Sequence, residues 1–214
     1  MKKYQNLEKK LSKPNTGHST IASFNVIQDI CLKTKPKNIL EIGFNRGDAC
    51  LMFLLNSEAS ITSIDVREES EIKNSINTIK ENFGDRFIYL KKNAYSELPY
   101  LSEFIGKFDL IYIDCWHTPE GYEMDTNTAM LFGSKYIVFD DYMTHKNSNF
   151  IKNYVKNNNN LQEIILYNIE CGKALIENIN YEKTKGSYEI LENIKNIYNN
   201  NLGKFKQLFK CYNL

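Results

Sequence analysis

Two apolar runs that each end on acid, joined by a helix with legible ends, constrain this chain more than any other feature. Residues 108–113 close on Asp114, and residues 136–139 close on Asp140 and Asp141. Between them Thr118 reads as an N-cap, Pro119 as the first helical residue, and Gly133 as the stop just past the last apolar position. A strand, helix, strand unit of this kind closes as a right-handed crossover, so both strands deliver their carboxyl ends to one edge of the sheet. Neighbouring strands lie roughly 5 Å apart, and three carboxylates crowded there would repel one another unless a divalent cation with oxygen ligands joined them. That edge is also where open α/β sheets keep their ligands.

Upstream, residues 38–47 (NILEIGFNRG) read as an apolar strand running into a turn with Gly43 and Gly47, and an apolar helix follows from Asp48. Such a turn brings backbone N–H groups close to a ligand and aims a helix N-terminus at it. A dinucleotide fingerprint would place a third glycine at position 45, which is Asn45 here, so hydride transfer loses ground. The next strand, 60–66, ends with Asp65 placed to accept both hydroxyls of a ribose. A helix over 68–83, a third strand over 87–90 leading to Asn93, Ala94 and Tyr95, and a short helix over 98–105 complete the first half. Residues 161–169 and 173–179 read as an antiparallel hairpin, giving five parallel strands finished by that hairpin.

The ends differ from this body. Residues 1–17 are polar and carry only Leu7 and Leu11 at helical spacing, so at most a short surface helix is expected. A helix with Ile21, Phe24, Ile27, Ile30 and Cys31 on one face follows. From Gly186 the tail shows two stripes, Ile190, Ile194, Ile197, Tyr198 and then Leu202, Phe205, Leu208, Phe209, which predict a helix pair packing on the domain. A homodimer contact or a lid is the alternative use of that pair. The division expected is 1–17 as an extension, 18–182 as one catalytic domain and 183–214 as a helical tail.

The formal charge is +1, which advertises neither nucleic acid nor an anionic membrane as partner. Five scattered cysteines without a CxxC pair argue for a reducing compartment and against zinc. No apolar run approaches the ~20 residues that span a bilayer, and a cytoplasmic location is expected.

Glu41-Ile42-Gly43 through Gly47, then Asp65, then Tyr112-Ile113-Asp114 with His117, then Phe139-Asp140-Asp141-Tyr142 resemble a class I S-adenosylmethionine-dependent methyltransferase. More narrowly they resemble the metal-dependent O-methyltransferases of the catechol and caffeoyl-CoA type and related bacterial small-molecule and sugar methyltransferases. The likeness covers about residues 18–180. It implies a Rossmann-like α/β fold, a seven-stranded, mostly parallel sheet with a terminal antiparallel hairpin and helices on both faces. It implies S-adenosylmethionine and Mg2+ or another divalent cation as cofactors, and a small-molecule hydroxyl as acceptor. By that resemblance Glu41 and Gly43 shape the pocket for the methionine portion, and Asp65 holds the ribose hydroxyls. The backbone at Ala94 and Tyr95 meets adenine, and Gly17 and His18 sit near the carboxylate end. Asp114, Asp140 and Asp141 ligate the metal, and His117 falls where the catechol enzymes place a lysine base. The chain departs from those enzymes in having Asp140-Asp141 for Asp-Asn and Asn93 for the usual acid. Trp116, Tyr122, Tyr142 and Met143 are candidates to wall the substrate pocket. Two other readings stay open: a metal-free methyltransferase on nucleic acid or protein, and a scaffold that kept the fold without catalysis.

Overall fold

The computed structural model describes residues 1–13, 20–143, 147–169 and 171–210, with side chains omitted for 147 and 208–210. Helices α1 (Lys2–Glu8) and α2 (Ile21–Thr34) precede a body in which strand and helix alternate. That body runs β1 (Asn38–Ile42), α3 (Asp48–Asn56), β2 (Ser60–Asp65), α4 (Lys73–Phe83), β3 (Phe87–Lys91), β4 (Leu110–Ile113), α5 (Pro119–Phe132), β5 (Tyr136–Phe139) and α6 (Asn147–Asn157). Strands β6 (Leu161–Tyr167) and β7 (Lys173–Asn178) follow, then α7 (Tyr181–Thr184) and α8 (Tyr188–Lys210).

Among the described residues the sheet has seven strands in the order β3-β2-β1-β4-β5-β7-β6. Strands β1 to β5 pair in parallel, while β7 runs antiparallel to both β5 and β6. This is the mostly parallel sheet with a terminal hairpin expected from the sequence. Register decides what the edge presents: Ile42 lies opposite Ile113, and Ile113 opposite Phe139. Strands β1, β4 and β5 therefore end level, and the residues that follow them, Gly43, Asp114 and Asp140, emerge side by side.

Apolar side chains cover both faces of the sheet. Ile39, Leu110 and Val138 pack beneath α2 and α3, and Leu40, Ile111 and Ile137 beneath α5 and α6. Thr118 accepts from the amide of Gly121 and Gly133 takes a left-handed conformation, so α5 begins and ends where its sequence signals say.

Several local expectations change. Helix α1 is no surface element: Tyr4, Leu7 and Leu11 are buried, with the Tyr4 ring 5.2 Å from that of Phe24. Helix α4 starts at Lys73, short of the predicted 68. The stretch expected as a helix over 98–105 forms two 3₁₀ turns, Leu98–Tyr100 and Ser102–Phe104, in keeping with a proline at its start. The tail is one continuous helix, α8, and not a pair. Ile194 of one stripe and Phe205 of the other, both buried, lie about three turns apart and so share one face.

Candidate functional site

A cavity of about 480 Å³ opens along the carboxyl ends of β1, β2, β4 and β5. Glu41, Gly43, Asp65, Ala94, Tyr95, Asp114, His117, Asp140 and Asp141 all line it. Gly47 stands behind it, in the left-handed conformation that starts α3. His18 lies outside the described residues, as does Gly17.

At one end the glycine turn is pressed against β4. A Cβ on Gly43 would stand 2.1 Å from the carbonyl oxygen of Asp114, and its φ of +96° is hard for any other residue. Asn45 adopts φ 49°, the left-handed region that Asn tolerates, so the turn keeps its shape without a third glycine. The Asn45 amide donates to Asp65 Oδ2 at 2.8 Å and the Arg67 amide to Oδ1 at 3.1 Å. Two backbone donors thus fix the Asp65 carboxylate while leaving it further lone pairs. Glu41 is 1% exposed; the Ser63 hydroxyl donates to one of its oxygens, and the other, Oε1, has no hydrogen-bond partner among the described residues. Burial pushes its carboxyl up to about 8. Asn93 serves the chain itself, its side chain accepting from the amides of Tyr95 and Ser96 at 2.9 and 3.1 Å.

At the other end, one ligand atom each from Asp114, His117 and Asp141 lie within 4.8 Å of one another. His117 Nε2 is 3.7 Å from Asp114 Oδ1 and 3.3 Å from Asp141 Oδ2. Asp140, expected beside them, lines the same cavity and is held by other partners. Its carboxylate accepts from the Lys173 ammonium, from the Tyr112 hydroxyl at 2.6 Å and from the Asp141 amide at 2.9 Å. Asp141 itself takes φ 51°, in the left-handed region. Burial, and next the Asp140 charge, push the Asp114 carboxyl well above the usual carboxylate range. The buried Tyr122 donates its hydroxyl to the Asp140 carbonyl at 2.7 Å and lies 3.0 Å from His117 Nδ1.

Sequence reasoning missed Lys173, whose only signal was a lone lysine opening an apolar strand. It also missed Arg46, whose guanidinium lies against the carboxylates of Asp48 and Glu8 and so ties α1 to the glycine turn. Of the expected pocket walls Trp116 lines the cavity, whereas Tyr122 and Tyr142 are buried behind it and Met143 is exposed. The Tyr95 ring stacks on Phe205 of α8 with centroids 4.8 Å apart, and Phe205 stacks in turn on Tyr198.

A sequence model described as "Methyltransferase domain" matches residues 40–142, the stretch from β1 to the turn after Asp141. That match covers 103 of the 214 residues. No curated protein matches the chain. Solved structures do, at low identity. Podospora anserina methyltransferase PaMTH1, bound to SAH, is 18% identical over 82% of this chain and 86% of its own, with a TM-score of 0.62. A Bacillus cereus O-methyltransferase in complex with SAH is 14% identical over 75% and 82%, at 0.60. The O-methyltransferase TomG from Streptomyces achromogenes, involved in tomaymycin synthesis and in complex with SAM, is 13% identical over 75% and 81%, at 0.61. The fold is therefore shared with these solved methyltransferases.

Proposed function

We propose that the chain is an S-adenosylmethionine-dependent O-methyltransferase that acts, with a divalent cation, on a hydroxyl of a small diol, phenol or sugar. The observation that carries this reading is one cavity with a glycine turn and two strand-end acids at one end and a convergent Asp, His, Asp group at the other. The neighbours solved with SAH or SAM support the cofactor half of it.

The residues present fit both groups. Gly43 leaves the floor clear where a Cβ would collide, Asp65 offers an oriented carboxylate to a diol, and the unpartnered Glu41 Oε1 is a buried acceptor suited to an ammonium group. Asp114 and Asp141 supply two negative charges, the match for a dication, because the charge of Asp140 is already answered by Lys173. When bound, S-adenosylmethionine supplies a sulfonium methyl that passes to the acceptor oxygen, leaving a thioether as the hydroxyl proton is released. A divalent cation, when bound, lowers the pKa of that hydroxyl.

The chain itself contributes position. Strands β1, β4 and β5 end level, so the turn that would hold the donor and the acids that would hold the acceptor are fixed on one rigid edge. His117 Nε2 and carboxylate oxygens of Asp114 and Asp141 converge in this wall.

Transfer of labelled methyl from S-adenosylmethionine to catechols, phenols and sugars tests the reading. Turnover should stop in excess EDTA and return with added divalent cation. Asp114→Asn and Asp141→Asn should each lower kcat at least about 100-fold while SAH affinity stays within about twofold. Full activity in EDTA would refute the cation.

A further inference from the structure

Tyr122 fixes which nitrogen of His117 carries the proton. A phenol has one hydrogen to give, and that of Tyr122 goes to the Asp140 carbonyl at 2.7 Å, since a carbonyl can only accept. The contact of 3.0 Å between Tyr122 oxygen and His117 Nδ1 is then a hydrogen bond from Nδ1–H to the phenol. In the neutral ring the lone pair sits on Nε2, and Nε2 is the atom turned toward Asp114 Oδ1 at 3.7 Å and Asp141 Oδ2 at 3.3 Å. Tyr122 is fully buried and anchored just past the end of β5 through the Asp140 carbonyl, so the ring is held in this orientation. An imidazole whose far N–H is pinned by a buried acceptor while its lone pair faces two carboxylates has the arrangement of a metal-binding histidine and its supporting shell.

Resting on the cation of the proposed reaction, we infer that His117 is one of its ligands, in place of the proton acceptor expected from the sequence, and that Asp114, His117 and Asp141 select a transition-metal dication such as Mn2+ over Mg2+. Two donor atoms each about 2.1 Å from one ion stand at most about 4.2 Å apart, and both His117 separations fall inside that limit. Three negative charges would suit a hard ion; two carboxylates and an imidazole form a softer set of the kind that manganese, iron, cobalt or zinc accepts and Mg2+ takes reluctantly. Asp140 stays outside the set, its carboxylate held by Lys173 and Tyr112. With His117 bound, the second oxygens of Asp114 and Asp141 are left as the proton acceptors of this wall.

The test uses full-length protein and Mn2+ alone, read by pulsed electron paramagnetic resonance. The wild type should show the modulation of one directly bound ¹⁴N. In His117→Gln that signal should vanish and Mn2+ affinity drop at least about tenfold, whereas Tyr122→Phe should keep the nitrogen signal and lose about tenfold in affinity. In competition Mn2+ should outbind Mg2+ by at least about 100-fold, an advantage that His117→Gln narrows. Bound Mn2+ without nitrogen modulation, or with the same modulation in His117→Gln, overturns the inference and leaves the cation-dependent reaction standing. Absence of Mn2+ binding at millimolar concentration in protein that still binds SAH overturns both.

Discussion

Gly43 and Glu41 carry opposite risks on the same strand end. At Gly43 the fold has no room: a methyl group would meet the Asp114 carbonyl at 2.1 Å in a backbone conformation hard for any other residue. Gly43→Ala should therefore cost at least about 3 kcal/mol, a fall in Tm of roughly 6 to 12 °C for a chain of this size. At Glu41 the difficulty is charge. Its carboxyl, at about 8 in the fold against an ordinary 4.5, favours the protonated form in the folded state. That contribution to stability is complete below about pH 4.5 and disappears as pH rises through about 8. The ligand-free protein should melt lower at pH 9 than at pH 6, and Glu41→Gln should remove part of that difference in a thermal scan. An unchanged slope in the variant would mean that other groups account for it. Both residues were visible in the sequence as the end of an apolar strand. The side-chain direction of Asp140 was not, because its partners Lys173 and Tyr112 come from other strands and no local pattern announces them.

Elements outside the matched domain brace the cavity from both sides. Helix α1 reaches it through Arg46, a nearly buried guanidinium shared by Asp48 and Glu8, with the Tyr4 hydroxyl 3.4 Å from Asp48 Oδ1. Arg46→Ala leaves the buried Asp48 carboxylate without its main partner and should cost about 3 kcal/mol or more, read by denaturant unfolding. Helix α8 reaches the cavity from the other side through the stack of Phe205 on Tyr95. Phe205→Ala should cost about 3 kcal/mol and, under the proposed function, raise KM for S-adenosylmethionine more than KM for the acceptor, because Tyr95 lines the end of the cavity proposed for the cofactor. Equal changes in both constants would reduce α8 to a stability element. The strands and α5 were legible because period, caps and turn glycines act locally. The roles of α1 and α8 were not, since Arg46 with Glu8 and Tyr95 with Phe205 are long-range pairs that no local pattern encodes.

At the scale of the molecule, a sheet whose central strands end level gathers a glycine turn, the acids Glu41 and Asp65, and the Asp114, His117 and Asp141 group into one cavity. Among the described residues no helix is long and apolar enough to cross a membrane. The sequence revealed which strand ends would meet; it could not reveal that Lys173, arriving from the antiparallel strand β7, would neutralise one of the three acids and leave His117 beside the other two. Calorimetric titration of the full-length protein with SAH tests the central claim most directly. One site of micromolar affinity is predicted, weakened at least about tenfold in Asp65→Ala and unchanged in Asp141→Ala. No binding at millimolar SAH, or equal affinity in Asp65→Ala and the wild type, would contradict it.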